Sequence, residues 1–331
     1  MPRYARNSAI LAKIETTVGT DSVPTGAANA VLVSNISVNP LNATNIPRDL
    51  VRNYFGASEH LVGTAFVEIE FDVEFQSSGS IATPTIPAWD ALLQGCTFAA
   101  GVGTVASRIE YAFATDYSTW KTLTIHYHDD GLRHVLLGAR GTMTVNLKVG
   151  ERPFYHFKFV GQDGGASAVA NPATTLTGFM TPLAVTDPNT GALTLGCTYA
   201  TGALSGGVEY VSAGLELDLG NDVQFIDLLG TAALAGQAVD VAGRDITGKI
   251  TFDLTAANEA AFLTSVKANT TQSLGLVHGS AAGLKMLVFA PKVQMLNPRK
   301  EDKTGRRLVG FDLRLLPSAT TGNDELRIVA I

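Results

Sequence analysis

Residues 66–75 read Phe66-Val67-Glu68-Ile69-Glu70-Phe71-Asp72-Val73-Glu74-Phe75 and alternate without a break. Val67, Ile69, Phe71, Val73 and Phe75 point one way; Glu68, Glu70, Asp72 and Glu74 point the other. Period 2 with branched and aromatic apolar residues is the pattern of a half-buried antiparallel strand. The acidic face constrains the fold. Side chains two residues apart lie roughly 7 Å from each other, where two carboxylates repel by about 0.6 kcal/mol in water and by more when water is excluded. Such a face stays wet or is matched by bases on a neighbouring strand. The plain reading is a solvated strand face; copies turned inward in a ring give a strongly negative channel.

The rest of the composition fits a chain that hides surface in an assembly. Of 331 residues, 46% are apolar and 16% charged, against about 25% charged in typical soluble domains. A formal net charge of −6 argues against a free-standing nucleic-acid binder, which needs bases to neutralise phosphates. Cys96 and Cys197 have no disulfide or metal spacing and read as core thiols in a reducing compartment. No secretory signal and no membrane-length apolar run is recognisable.

Taken in order, residues 1–30 read as an extended N-terminal arm, with Ala9–Lys13 apolar and turn residues after it. Strand signals follow at Ala30–Val38, with a loop over Pro40–Pro47, a charged and aromatic stretch at Arg48–Gly56 for a crevice or partner, and the acidic strand. Ser77–Pro87 reads as a loop. Pro87–Cys96 reads as a short helix with Trp89, Leu92, Leu93 and Cys96 on one face. Strands Trp120–His128 and Leu132–Leu137 flank the turn Asp129-Asp130-Gly131, and Thr142–Val149 and Phe154–Val160 alternate again. Residues 161–206 are a Gly/Ala/Thr/Pro-rich linker with short strands at Phe179–Val185 and Leu193–Thr198. The order of events then repeats. Leu215–Leu219 is an acidic alternating strand and Ile246–Leu254 a second. Thr255–Lys267 is a helix with Glu259 as a capping-box partner. Hairpins form from Ser273–Val277 with Lys285–Ala290, and from Lys292–Leu296 with Leu308–Leu316. The simplest account is a mainly β protein of tandem β-sandwich or barrel domains, 31–160 and 207–331, each with one short flanking α-helix.

Chemistry has little to hang on. His126, His128 and, across the turn, His134 are the best metal candidates, since histidines at i and i+2 of a strand share a face. A two-residue loop pairs His134 with Tyr127, facing away; a three-residue loop pairs it with His126. No G-x-S-x-G and no phosphate loop occurs, and a uniform acidic ladder lacks the unequal environments that separate catalytic carboxylates. The basic stretch Arg299, Lys300, Lys303, Arg306 and Arg307 reads as a solvated turn, or as a tip on one subunit meeting an acidic edge on the next.

Several stretches, weak singly but ordered along the chain, carry a resemblance: Glu15–Asp21, Arg48–Gly56, Gly138–Met143, Leu219–Asp222, Arg244–Gly248 and Gly322–Ile328. With them the chain resembles the major tail tube proteins of long-tailed, siphophage-type bacteriophages. The resemblance implies a β-sandwich or barrel of tail-tube type with a flanking helix and no catalytic activity or cofactor. It implies rings stacked into a hollow virion tube, assembled in the host cytoplasm around a tape-measure protein and capped by tail terminator and distal tail proteins. Genome DNA passes through a largely negative lumen without specific binding. Glu68, Glu70, Asp72 and Glu74, with Glu216 and Asp218, are the expected lumen-facing acids. The arm, the 77–87 loop and the five bases of 299–307 are the expected inter-ring contacts. A doubled chain closes a ring as a trimeric pseudo-hexamer or, as single-domain members do, a hexamer. The competing readings are a carbohydrate- or receptor-binding adhesin using Tyr54, Phe55 and Tyr117, and a metal enzyme using the histidines.

Overall fold

Apolar alternation over so many segments has one outlet, which is to bury one face of a sheet, and the computed structural model shows this for residues 2–79, 85–103, 108–230 and 236–331. The principal strands of the first half are β1 (Ser8–Ile14), β2 (Ser34–Pro47), β3 (His60–Glu74), β4 (Ile109–Tyr111), β5 (Leu123–Asp129), β6 (Leu132–Lys148) and β7 (Phe154–Ala168). Those of the second are β8 (Leu193–Leu195), β9 (Ser212–Asp218), β10 (Asn221–Asp227), β11 (Gln237–Arg244), β12 (Thr247–Phe252), β13 (Thr271–His278), β14 (Met286–Lys303), β15 (Arg306–Leu315) and β16 (Arg327–Ala330). Helices are a single turn α1 (Gly26–Asn29), α2 (Asp90–Gly95) and α3 (Ala256–Lys267). The protein is mainly β. Among the described residues no helix is long and apolar enough to span a membrane.

The central wall runs β2-β3-β7-β6-β9-β12-β15-β14, antiparallel throughout. Its middle joint is β6 with β9, where Leu147, Asn146, Val145 and Thr144 face Leu215, Glu216, Leu217 and Asp218. Both halves of the chain therefore share one sheet, and their buried residues form one core cluster. The early part of β6 pairs with β5, which carries β1. The early part of β14 pairs with β13, which carries β8, and on its other edge with β16, which carries β4.

The connectivity repeats. In the first half β3 leads through α2 to β5, β6 and β7, which lie in the order β3-β7-β6-β5. In the second, β12 leads through α3 to β13, β14 and β15, which lie in the order β12-β15-β14-β13. An earlier strand pairs with the first of each set: β2 with β3, and β9, which precedes the β10–β11 hairpin, with β12.

Residues read as core are core. Val67, Ile69, Phe71, Val73 and Phe75 are buried, as are Trp89, Leu92, Leu93 and Cys96. The Trp89 indole N–H donates to the Gln76 carbonyl at 2.9 Å, so this large ring is buried with its polar atom satisfied. Thr255 caps α3 by accepting from the Asn258 N–H, and Phe262 from that helix packs on Tyr210, Phe252 and Phe311.

Several segments differ from the sequence reading; the strands read at Leu132–Leu137 and Thr142–Val149, for one, are the single strand β6. Residues 8–14 are not an arm: β1 pairs along its length with β5, because Ile10 and Leu11 are too apolar to stay in water and are buried. Pro40–Pro47 continues strand β2 rather than looping. That strand pairs only with β3 among the described residues, and an edge strand with bulges tolerates proline because no ladder donor is lost. The two strands expected at 285–290 and 292–296 are one strand, β14, whose Pro291 and Pro298 fall at register shifts of its ladders. Residues 179–185 form no strand. Glu259 lies one residue beyond the capping-box position and pairs instead with Lys300. Positions 80–84 of the expected 77–87 loop fall outside the described residues.

Candidate functional site

One face of the wall is buried; the other is polar across all eight strands, and the rungs of its ladders repeat. In the first half the rungs are Asn39–Glu68–Val160–Arg140, Ser37–Glu70–Lys158–Thr142 and Asp72–His156–Thr144. In the second they are Asp218–Thr247–Arg314–Gln294, Glu216–Lys249–Asp312–Leu296 and Thr251–Gly310–Arg299. All six expected lumen acids lie on this face.

They do not form an all-acid surface. Lys158 Nζ lies 3.2 Å from Glu70, His156 Nδ1 2.7 Å from Asp72 and Arg152 3.1 Å from Glu74. Asn35 also donates to Asp72, which is buried. Across the β6–β9 joint, Lys148 lies 2.9 Å from Glu216, and this bond raises the lysine pKa. Arg299 lies 2.6 Å from Asp312, and hydrogen bonds from Arg299 and Asn297 hold that carboxyl below its ordinary value. Glu68 and Asp218 have no ion-pair partner among the described residues; Asp218 accepts from the Gly220 N–H at 3.0 Å. Alternation along one strand shows which face is charged; the bases that answer the acids of β3 and β9 come from segments 68 to 88 residues away in the chain.

The basic tip is partly satisfied within the chain as well. Arg299 reaches Asp312, Lys300 reaches Glu259 and Arg306 reaches Asp253. Lys303 and Arg307 have no ion pair among the described residues.

The histidines do not converge. Asp129 stands opposite Leu132, so Asp130-Gly131 is a two-residue turn with φ of 44° and 91°, the geometry of a primed hairpin turn. His134 therefore pairs with Tyr127 and leaves the face of His126 and His128. Those two are buried. His126 Nε2 lies 3.0 Å from Asp21, and burial lowers both histidine pKa values. Among the described residues no group of three His, Cys, Asp or Glu side chains is placed to hold a metal ion.

Five of the six stretches that carry the resemblance hold structural ties. Glu15, buried, accepts from the Gly19 and Gly138 N–H groups, both at 2.8 Å, and from the hydroxyls of Thr122 and Thr124 at 2.8 and 2.9 Å. It thereby joins β1 to β5 and to the bulge of β6, where Gly138 takes a φ of 58° that favours glycine. Asn221 donates to the carbonyls of Cys96 and Gly141, at 3.2 and 2.9 Å, and so ties the second half to the first. Arg244 pairs with Glu325 at 3.1 Å and lies 3.6 Å from the centroid of the Phe113 ring. Sequence reasoning singled out these stretches without a role for each residue; a lone Glu, Asn or Arg carries no signal of what it will meet.

Two hairpins carry the most exposed apolar side chains among the described residues. The β2–β3 hairpin ends in residues 48–59, where Leu50, Val51, Tyr54 and Phe55 are exposed and Arg48 and Arg52 pair with Glu59. This stretch sits in no crevice. The β10–β11 hairpin exposes Leu228 and Leu229. The two lie side by side: Phe66 stacks on Phe225 at 4.9 Å, and Thr64 donates to Asp227.

A search of curated proteins finds no match. Compared with known families, residues 5–326 match the one described as phage tail tube protein. A match over nearly the whole length, on a mainly β chain whose doubled wall and structural ties have just been described, shows that this chain belongs to the phage tail tube protein family.

Proposed function

We propose that this structural tail protein forms one ring of the tube from three copies, each supplying eight strands from two tandem tail-tube units, with the polar wall face lining the lumen. The observation that carries this reading is the wall itself. It is one continuous antiparallel sheet, buried on one side and polar on the other, and built twice over by the same connectivity. A single unit repeated six times and a double unit repeated three times present the same number of strands to a ring. In this reading the units are taken as the divisions read from the sequence, 31–160 and 207–331 joined by 161–206, with β1 and the end of β7 drawn into the first and β8 into the second. Rings stack through the two hairpin tips, whose exposed Val51, Phe55 and Leu229 are a liability on a free monomer; the 77–87 loop and the 299–307 tip are further stacking candidates. The tube's partners are the tape-measure protein inside and the terminator and distal proteins at its ends, and genome DNA passes without specific binding.

The lumen in this reading carries acids interleaved with bases, the acids of β3 being the densest cluster. A mixed wall near DNA offers no continuous attraction, because most of its bases, Lys148, Arg152, Lys158 and Arg299 among them, are already held by acids. Electron microscopy of the purified protein, with mass measurement of any rings, tests the reading. Three-chain rings stacked into hollow tubes are expected; six-chain rings overturn the stoichiometry. Replacing Glu68 and Glu70 with Gln leaves tubes intact and slows DNA passage. Loss of rings in that variant assigns the acids to a contact between chains instead.

A further inference from the structure

A cleft of about 720 Å³ lies at the junction of the two halves. The β4–β5 connection and Arg140 of β6 line one side of it, and the end of β11 and the β15–β16 connection line the other. That volume is within the range of small-molecule sites, which collect at junctions between units. Tyr117, an aromatic that the tube reading leaves without a role, stands at the cleft. Its side chain is 68% exposed yet held. It belongs to the short 3-10 helix Tyr117–Thr119, which Asp116 caps by accepting from the Ser118 N–H at 2.9 Å. It meets Trp120 with ring centroids 4.9 Å apart and planes at 78°. Trp120 is fixed in turn, its indole N–H donating to the Ala114 carbonyl at 3.4 Å and the Arg140 guanidinium lying 5.9 Å from its ring. An exposed aromatic ring on a fixed support loses little freedom when it binds something.

The polar lining is equally set. Arg140 pairs with Asp240 and Arg244 with Glu325, so the charges of the lining balance. A phosphate or an acidic polymer would face two carboxylates there. Two groups keep free capacity among the described residues. Asp240 accepts from Arg140 and from the Val241 N–H, the latter at 2.9 Å, through one oxygen, Oδ1; its Oδ2 is open on a side chain 54% exposed. Asn323 accepts from Arg244 at 3.0 Å through its carbonyl oxygen, which leaves its amide N–H groups to donate. An open carboxylate oxygen beside open amide donors suits groups that both donate and accept, as hydroxyls do. An aromatic face suits C–H groups, whose partial positive charge meets the negative face of the ring. A pyranose carries both, hydroxyls on its rim and C–H groups on its face, and no charge. From this we infer that the cleft binds a neutral saccharide, with Tyr117 stacked on the sugar ring and Asp240 and Asn323 holding its hydroxyls. The inference goes beyond the tube reading and does not depend on ring stoichiometry. One such site per chain, repeated along an assembly, adds weak single contacts into avidity for a polysaccharide.

Titration calorimetry and ligand-observed NMR on the full chain test it. The probes are neutral oligosaccharides of glucose, of galactose and of N-acetylglucosamine, with oligogalacturonate as the acidic counterpart. At least one neutral probe binds and the acidic one does not. Tyr117→Ala lowers the affinity for that probe about tenfold. Tyr117→Phe keeps the ring and leaves the affinity nearly unchanged, and Asp240→Asn weakens it several-fold. Both side chains are exposed, so an unchanged melting temperature separates loss of the site from loss of the fold. Failure of every neutral probe to bind, binding of oligogalacturonate as tight as that of the neutral probes, or binding that Tyr117→Ala leaves unchanged each overturns the site. Binding by dispersed subunits that vanishes in sedimented assemblies overturns it too, because a neighbouring chain then fills the cleft. The tube reading stands or falls separately, on microscopy of the wild-type protein.

Discussion

In the first half, β3 and β7 meet through Phe71, Phe157 and Phe159, and Trp89 of the short α2 packs on Tyr155 and Tyr111. In the second, β12 and β15 meet through Phe252 and Phe311, and the twelve-residue α3 lays Phe262 over both. The same connectivity is thus filled by an aromatic-rich core under a six-residue helix in one half and by a smaller cluster under a longer helix in the other. The ties differ too. A buried carboxylate with four neutral donors and, among the described residues, no cation anchors the first half; an arginine held by a carboxylate and a ring anchors the second. Strand order, ladder register and one polar face are common to both, while the residues that enforce them are not. Selection on such a chain acts on volume and pairing, which many sequences satisfy.

The largest effect expected is from removing a tie. Glu15→Ala leaves two backbone N–H groups and two hydroxyls without their acceptor, and the loss is on the order of 3 kcal/mol or more. Arg244→Ala strands Glu325 and uncovers Phe113, at about 3 kcal/mol. Thermal unfolding of the two variants separates the halves. One shared transition lowered in both means that the β6–β9 joint makes them a single cooperative unit. Two resolved transitions, each shifted by only one variant, break the picture of one sheet.

A middle-sized effect is expected from acid. Burial lowers the pKa of His126 and His128 in the first half and of His278 in the second. A group whose folded pKa is depressed contributes stability that is full above its unfolded value, about 6.5, and is lost as pH falls toward the folded value. The melting temperature therefore drops between pH 7 and 5. His278→Gln flattens part of that drop by removing the second half's contribution, and a pH profile unchanged by the substitution counts against it. The groups facing these histidines are Asp21 and Arg133 in the first half and Thr190 in the second.

The smallest effect expected is at the joint's ion pair. Lys148 and Glu216 are partly exposed, and Lys148→Ala costs less than about 1 kcal/mol, with a further signature in pH. The lysine's raised pKa means that its contribution holds below about 10.4, the unfolded value, and fades as pH rises through the folded one. Urea titrations at neutral pH and near pH 11 read the difference. A cost well above that figure makes the pair, rather than the backbone ladder, the glue of the joint.

Much of this was legible in the chain. The alternation at 66–75, the Trp89 helix face, the Thr255 cap and a turn within Asp129-Asp130-Gly131 are short-range signals, and each residue's neighbours in sequence are its neighbours in space. What was misread lay where distance in sequence matters. Proline at Pro40, Pro291 and Pro298 signals a break by local rules; edge position and bulges, which only strand pairing defines, let the strands run on. An apolar Ala9–Ala12 does not say which sheet will take it. The acidic face was clear, yet Lys158, His156, Arg152 and Lys148, which answer it, reach it only through long-range ladders.

By itself, the sequence determined the class of fold, the two-part rhythm and the face of each strand that is wet, because these depend on hydrophobic period and turn chemistry within a few residues. The tertiary structure alone decided that the two parts share one wall, that most of the acids are matched by bases and, among the described residues, that two edges remain open. Those follow from register between strands far apart in the chain, and no local period encodes which strand becomes whose neighbour.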